Sequence, residues 1–112
     1  MAIVFITPLL EEKIHKKFKQ DSIKIFSSLL NLQTNPKKGK EIGSIGNIII
    51  KELKYKNFRF YFITDKYKIK FLKTDELKDL IIKVIRMSNK NNQQKIIDEI
   101  KFILKNLDDN SF

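Results

Sequence analysis

Apolar and polar positions change their period several times along the chain, and each change predicts an element. Residues Ala2–Ile6 are a short apolar run rich in β-branched side chains, which predicts a strand. Thr7-Pro8 follows, a good N-cap residue and a good first helical residue, with Glu11 and Glu12 in the turn that a helix dipole favours for acids. Leu10, Ile14 and Phe18 then recur every fourth residue, with Lys13, Lys16 and Lys17 off that stripe. Asp21-Ser22 is a second cap signal, and Ile23, Phe26, Leu29 and Leu30 form a second stripe. Pro8–Leu32 therefore reads as a helical hairpin, with one bent helix as the alternative.

Asn35-Pro36-Lys37-Lys38-Gly39 is turn chemistry that ends the helical region. A loop through Gly43 and Gly46 is expected to lead into a strand over Ile48–Tyr55, followed by a turn at Lys56-Asn57. In Phe58–Thr64, Phe58, Phe60 and Phe62 alternate with Arg59 and Tyr61, the period of a strand with one buried face. Asp65-Lys66 turns the chain into Tyr67–Lys73, where Ile69 and Phe71 alternate with Lys68 and Lys70. Asp75–Asp79 reads as a polar break and Leu80–Met87 as the last strand. Ser88–Asn92 is a second break before a final helix faced by Ile96, Ile97, Ile100, Ile103, Leu104 and Leu107. The expected order is β-αα-ββββ-α, an α+β fold, with short links that make antiparallel neighbours the default.

Composition narrows the chemistry. The chain has 112 residues, enough for one domain over 1–112 and too few for a second core. It has no cysteine, which excludes disulfides, thiolate zinc sites and cysteine nucleophiles; its one histidine, His15, excludes a histidine-based metal cluster. His15, beside Ile14 and Lys16, reads as a solvated helix residue. No apolar run is long enough to span a bilayer, and Met1–Ile6 lacks the basic flank of a signal peptide, so a cytoplasmic location and no membrane association are expected. The formal charge of +10 points to polyanionic partners. Between Asn35 and Arg59, seven cations (Lys37, Lys38, Lys40, Lys51, Lys54, Lys56, Arg59) face two acids (Glu41, Glu52), a net of +5 and half of the excess.

The order of short motifs adds a family likeness. Asn35-Pro36 is followed by Gly39-Lys40-Glu41-Ile42, Lys51-Glu52-Leu53-Lys54, Asn57-Phe58-Arg59-Phe60-Tyr61 and Val84-Ile85-Arg86-Met87-Ser88-Asn89-Lys90. Over nearly its whole length this resembles the RelE/ParE superfamily of toxin–antitoxin toxins: a helix pair, Asn-Pro, a Glu-Leu-Arg strand, an aromatic-Arg strand, a hairpin and a basic segment before the last helix. The resemblance implies a RelE-like fold, in which an N-terminal helical hairpin packs on a small twisted, mainly antiparallel sheet of 4–5 strands with a C-terminal helix. It implies a metal-independent endoribonuclease, without cofactor, in which the substrate's 2′-hydroxyl attacks the adjacent phosphate. Lys54 matches the basic end of the Glu-Leu-Arg strand and Arg86 the basic position before the terminal helix. Together with Tyr55, the tyrosine next to Lys54, these are the implied catalytic residues. Lys40, Lys51, Arg59 and Lys90 are the implied RNA-binding ones, although Arg59 between Phe58 and Phe60 also suits a purely structural place in the sheet.

Two departures stand out. Residues 88–112 contain no Tyr or His to act as an acid or base, and Lys54 lacks the bidentate fork of the family's arginine. The expected function is therefore an mRNA-cleaving toxin acting at the ribosome, neutralised by an acidic antitoxin encoded nearby. The alternatives are a ParE-like topoisomerase inhibitor and an inactive basic nucleic-acid-binding module. Apolar residues fill both parities of Ile48-Ile49-Ile50, so which face Lys51 and Lys54 share with Arg86 stays open.

Overall fold

The computed structural model describes residues 2–45, 48–65, 68–87 and 98–99, the side chains of 84–87 excepted. Strand β1 (Ile3–Ile6) hands over to helix α1 (Pro8–Phe18) at Thr7, whose Oγ1 accepts the Leu10 N–H at 3.3 Å. That is the N-cap the sequence suggests. Helix α1 stops at Lys19, which takes a positive φ of 50°, and a single 3₁₀ turn leads into helix α2 (Ser22–Leu30). The buried Ser22 hydroxyl donates to the Ile14 carbonyl at 3.1 Å and ties the two helices together. They form a hairpin, and the bent-helix alternative is not what is found.

Strands β2 (Lys40–Ile45), β3 (Ile48–Tyr55), β4 (Phe58–Asp65) and β5 (Lys68–Leu72) run as an antiparallel meander, and β1 adds to β5 in parallel. The result is a five-stranded mixed sheet in the order β1-β5-β4-β3-β2. The stretch expected to be a loop through Gly43 is thus a strand, its apolar alternation interrupted by a bulge between Glu41 and Gly43. Gly39, which leads into it, has a φ of +104°, and a Cβ there would come within 3.0 Å of the Phe62 ring and 3.1 Å of the Glu52 carbonyl. Glycine is the residue that fits.

A second correction concerns Leu80–Met87. It is not a strand: Thr74–Met87 is one helix, α3. The polar stretch read as a break is its first turn, where the Glu76 carboxylate accepts the Lys73 N–H at 2.9 Å and the Thr7 hydroxyl at 2.6 Å. The first of these bonds is half of a capping box. The fully buried Leu77 and Ile81, four residues apart, pack with Ile45, Ile50, Tyr61 and Leu72 on one face of the sheet. The other face carries the larger core, in which Leu10, Ile14, Ile25 and Leu29 of the hairpin meet Leu53, Phe60, Phe62, Ile69 and Phe71. The sheet is therefore the middle layer of three. The final helix expected around Ile96–Leu107 lies, but for Asp98 and Glu99, outside the described residues.

Candidate nucleic-acid interface

Register decides which basic side chains can act together, because neighbours along a strand point to opposite faces and directly paired residues share one. Leu53↔Phe60, Lys51↔Phe62 and Tyr55↔Phe58 face the helical hairpin; Ile50↔Ile63, Glu52↔Tyr61 and Lys54↔Arg59 face the α3 side. Lys40↔Glu52 extends the second set onto β2. The α3-side face therefore gathers Lys40, Glu52, Lys54 and Arg59 at the end of the sheet next to the Lys56-Asn57 turn, one pleat beyond the apolar patch that α3 covers. Lys40 and Lys54 are exposed, Glu52 and Arg59 half-buried. Lys54 opposite Arg59 places two cationic residues at directly paired positions on one face.

The remaining residues singled out from the sequence are placed elsewhere. Lys51 points to the hairpin side, where its Nζ donates to the Lys37 carbonyl at 3.1 Å and lies 5.8 Å from the centre of the Phe62 ring. It ties the turn before β2 to the sheet. Tyr55 is on that side too, half-buried, with the Lys56 Nζ 5.6 Å above its ring. Lys54 and Tyr55 thus lie on opposite faces of β3 and are not brought together. Arg86 is in the last turn of α3, not on a strand, and its side chain is outside the described residues, as are Lys90 and Tyr67. His15 is exposed, 3.9 Å from Glu11, and its ring lies tilted at 51° with its centre 5.0 Å from that of Phe26 on α2.

Comparison with protein-family models, curated proteins and solved structures finds no match to this chain. Its function has to be read from its own geometry.

Glu52 was not singled out by sequence, yet it is the carboxylate on the cationic face, between Lys40 across the β2–β3 pair and Lys54 two residues along β3. The signal was present as Glu52-Leu53-Lys54, once the segment is known to be a strand whose buried residue is Leu53. Tyr61 shares that face but is only 1% exposed and belongs to the core under α3. Chemically, three cations and a carboxylate at one sheet end can bind a phosphate and exchange a proton with its substituents. Among the described residues, no three His, Asp or Glu side chains gather to hold a metal ion, and no helix is long and apolar enough to cross a membrane.

Proposed function

We propose that this chain is a RelE-like toxin that binds mRNA, at the ribosome, on the face bearing Lys40, Lys54 and Arg59, and cleaves it without a metal. One observation carries the reading: Lys54 and Arg59 are held directly opposite each other on adjacent strands. Two cationic side chains at directly opposed positions offer one anion adjacent donors. The helical hairpin on a mainly antiparallel sheet and the charge of +10 support the same reading.

In the proposed reaction the ribose 2′-oxygen attacks phosphorus and the bond to the 5′-oxygen breaks, leaving a 2′,3′-cyclic phosphate and a 5′-hydroxyl. Glu52 takes the 2′ proton, Lys54 supplies a proton to the departing oxygen, and Arg59 holds the charge that builds on the phosphorane. A single donor aimed at such charge contributes on the order of 10²–10³ in rate. An acidic, partly helical antitoxin laid over the cationic face would neutralise it, with favourable electrostatics.

End-mapping of messages in a translating extract tests the reading. The expected result is cleavage with cyclic phosphate ends, reduced at least 100-fold by Lys54→Ala or Glu52→Gln in protein that melts as the wild type does. Intact messages with retained RNA binding would leave the chain as a binding module that does not cleave. The separation of Tyr55 from Lys54 on opposite faces favours that second reading.

A further inference from the structure

A second cationic feature lies apart from the Lys54–Arg59 face. Helix α1 buries Leu10 and Ile14 and turns Lys13, Lys16 and Lys17 away from the core, toward the segment joining β5 to α3. Between them is an open cleft of about 450 Å³ lined by Leu9, Glu12, Lys13, Lys16, Lys17 and Lys73. Lys13 and Lys73 are half-buried, and Lys73 lies 3.7 Å from Asp75 at the rim. Four ammonium groups thus share the cleft with one carboxylate, Glu12, which is paired with Lys16 at 2.9 Å. The Lys13 ammonium is held below the usual lysine range, by burial first and then by Lys73, with Lys17 adding to the effect and Asp75 opposing it.

The cleft is connected to the face already described. The Lys17 Nζ lies 5.1 Å above the ring of Phe58, which pairs with Tyr55 at the mouth of the β3–β4 turn. Phe58 and Tyr55 are half-buried, and Arg59 and Lys54, the next pair along, point to the α3 side. Cations and aromatic rings therefore follow one another from Lys73, past Lys13 and Lys17, over Phe58 and Tyr55, to Lys54. Such a line of cations suits the backbone of a single strand, while Phe58, packed edge-to-face with Phe18 at 4.7 Å and covered by Lys17, stays with the core.

We propose that the α1 cleft grips backbone phosphates of the same single-stranded RNA, so that the strand continues round the β3–β4 end of the sheet. The inference rests on the RNA-binding reading above. Phosphates fit this cleft better than an acidic peptide does, because a peptide needs apolar surface to bury and Leu9 is the one apolar residue in the lining. Lysines present point charges, which suit phosphates whose position is set by the chain.

The test is the salt dependence of binding to a labelled single-stranded RNA, measured by anisotropy, for wild type and for Lys13→Gln/Lys17→Gln. A second variant, Lys24→Gln/Lys68→Gln, removes the same charge from exposed positions away from the cleft and serves as control. With each phosphate contact adding about 0.7 to the slope of log affinity against log salt, the cleft variant should lose roughly 1.4 from it. Its affinity in low salt should fall about 10-fold or more, and the control should keep the wild-type slope. Tripolyphosphate should displace RNA from the wild type and lose that effect in the cleft variant. An unchanged slope in the cleft variant, with wild-type RNA binding intact, overturns the inference and leaves the proposed function standing. Tripolyphosphate binding without any RNA binding overturns both and makes the cleft a site for free polyphosphate.

Discussion

At the scale of single residues, Lys54 and Arg59 set two cations opposite each other across the β3–β4 pair. Directly opposed side chains on neighbouring strands have Cβ atoms roughly 4.5–5.5 Å apart, and like charges there are destabilising. Lys54→Thr removes the repulsion and introduces a better strand former, so it should leave the protein as stable as wild type or up to about 1 kcal/mol more stable. The same change should abolish cleavage. Urea denaturation and RNA end-mapping on one preparation check both halves. A variant less stable than wild type would make Lys54 a structural residue and remove the main support for the site. Lys51, on the other parity, makes the contrast: its ammonium is engaged by the Lys37 carbonyl, so its loss should loosen the turn before β2 rather than the site.

Between elements, the most informative contact is the one that docks α3. The Glu76 carboxylate joins the start of α3 to the β1–α1 junction by accepting from the Thr7 hydroxyl, across 69 positions of sequence. Thr7 is 4% exposed, and it also caps α1. A hydrogen bond to a charged group contributes about 1.5–3 kcal/mol, and this one is partly buried. A double-mutant cycle on Thr7→Val and Glu76→Ala should therefore return a coupling of roughly 1 to 2 kcal/mol by urea denaturation. Strict additivity would mean that α3 is held by Leu77 and Ile81 alone.

The same contact explains what could be read from sequence. The Thr7-Pro8 start of α1, the Ser22 boundary and the Phe58–Phe60–Phe62 alternation are local signals, and the structure follows them. Helix α3 is hidden in the sequence because its first turn, Thr74-Asp75-Glu76, looks like turn chemistry when the partner of Glu76 is out of sight. Its later residues, Leu80 to Ile85, are apolar enough to pass for a strand. Strand β2 is hard to see in sequence because a bulge breaks its alternation. For the candidate site, the residue types were legible but their grouping was not. Whether Lys54 lies with Arg59 or with Lys51 depends on which face of β3 is covered by which helix, and that is a tertiary fact.

For the molecule as a whole, charge acts in two opposite directions. The chain carries +10, and at the β3–β4 end the α1 cleft and the Lys54–Arg59 pair bring cations into one region. Folding gathers these charges, so their mutual repulsion is a cost of the native state that screening relieves. Binding RNA exchanges counterions for phosphates, and the same screening opposes it. The Debye length falls from about 10 Å at 0.1 M ionic strength to about 3 Å at 1 M, which spans the separations involved. Raising sodium chloride over that range should therefore raise the thermal midpoint of the free protein while lowering RNA affinity by orders of magnitude. Tripolyphosphate at millimolar concentration should raise the midpoint beyond what its ionic strength explains, since it stabilises by binding. Scanning calorimetry across a salt series, with and without tripolyphosphate, separates the two effects. A midpoint indifferent to both would mean that the lysines are dispersed and solvated rather than concentrated, and the polyanion-binding surface would then have no physical basis.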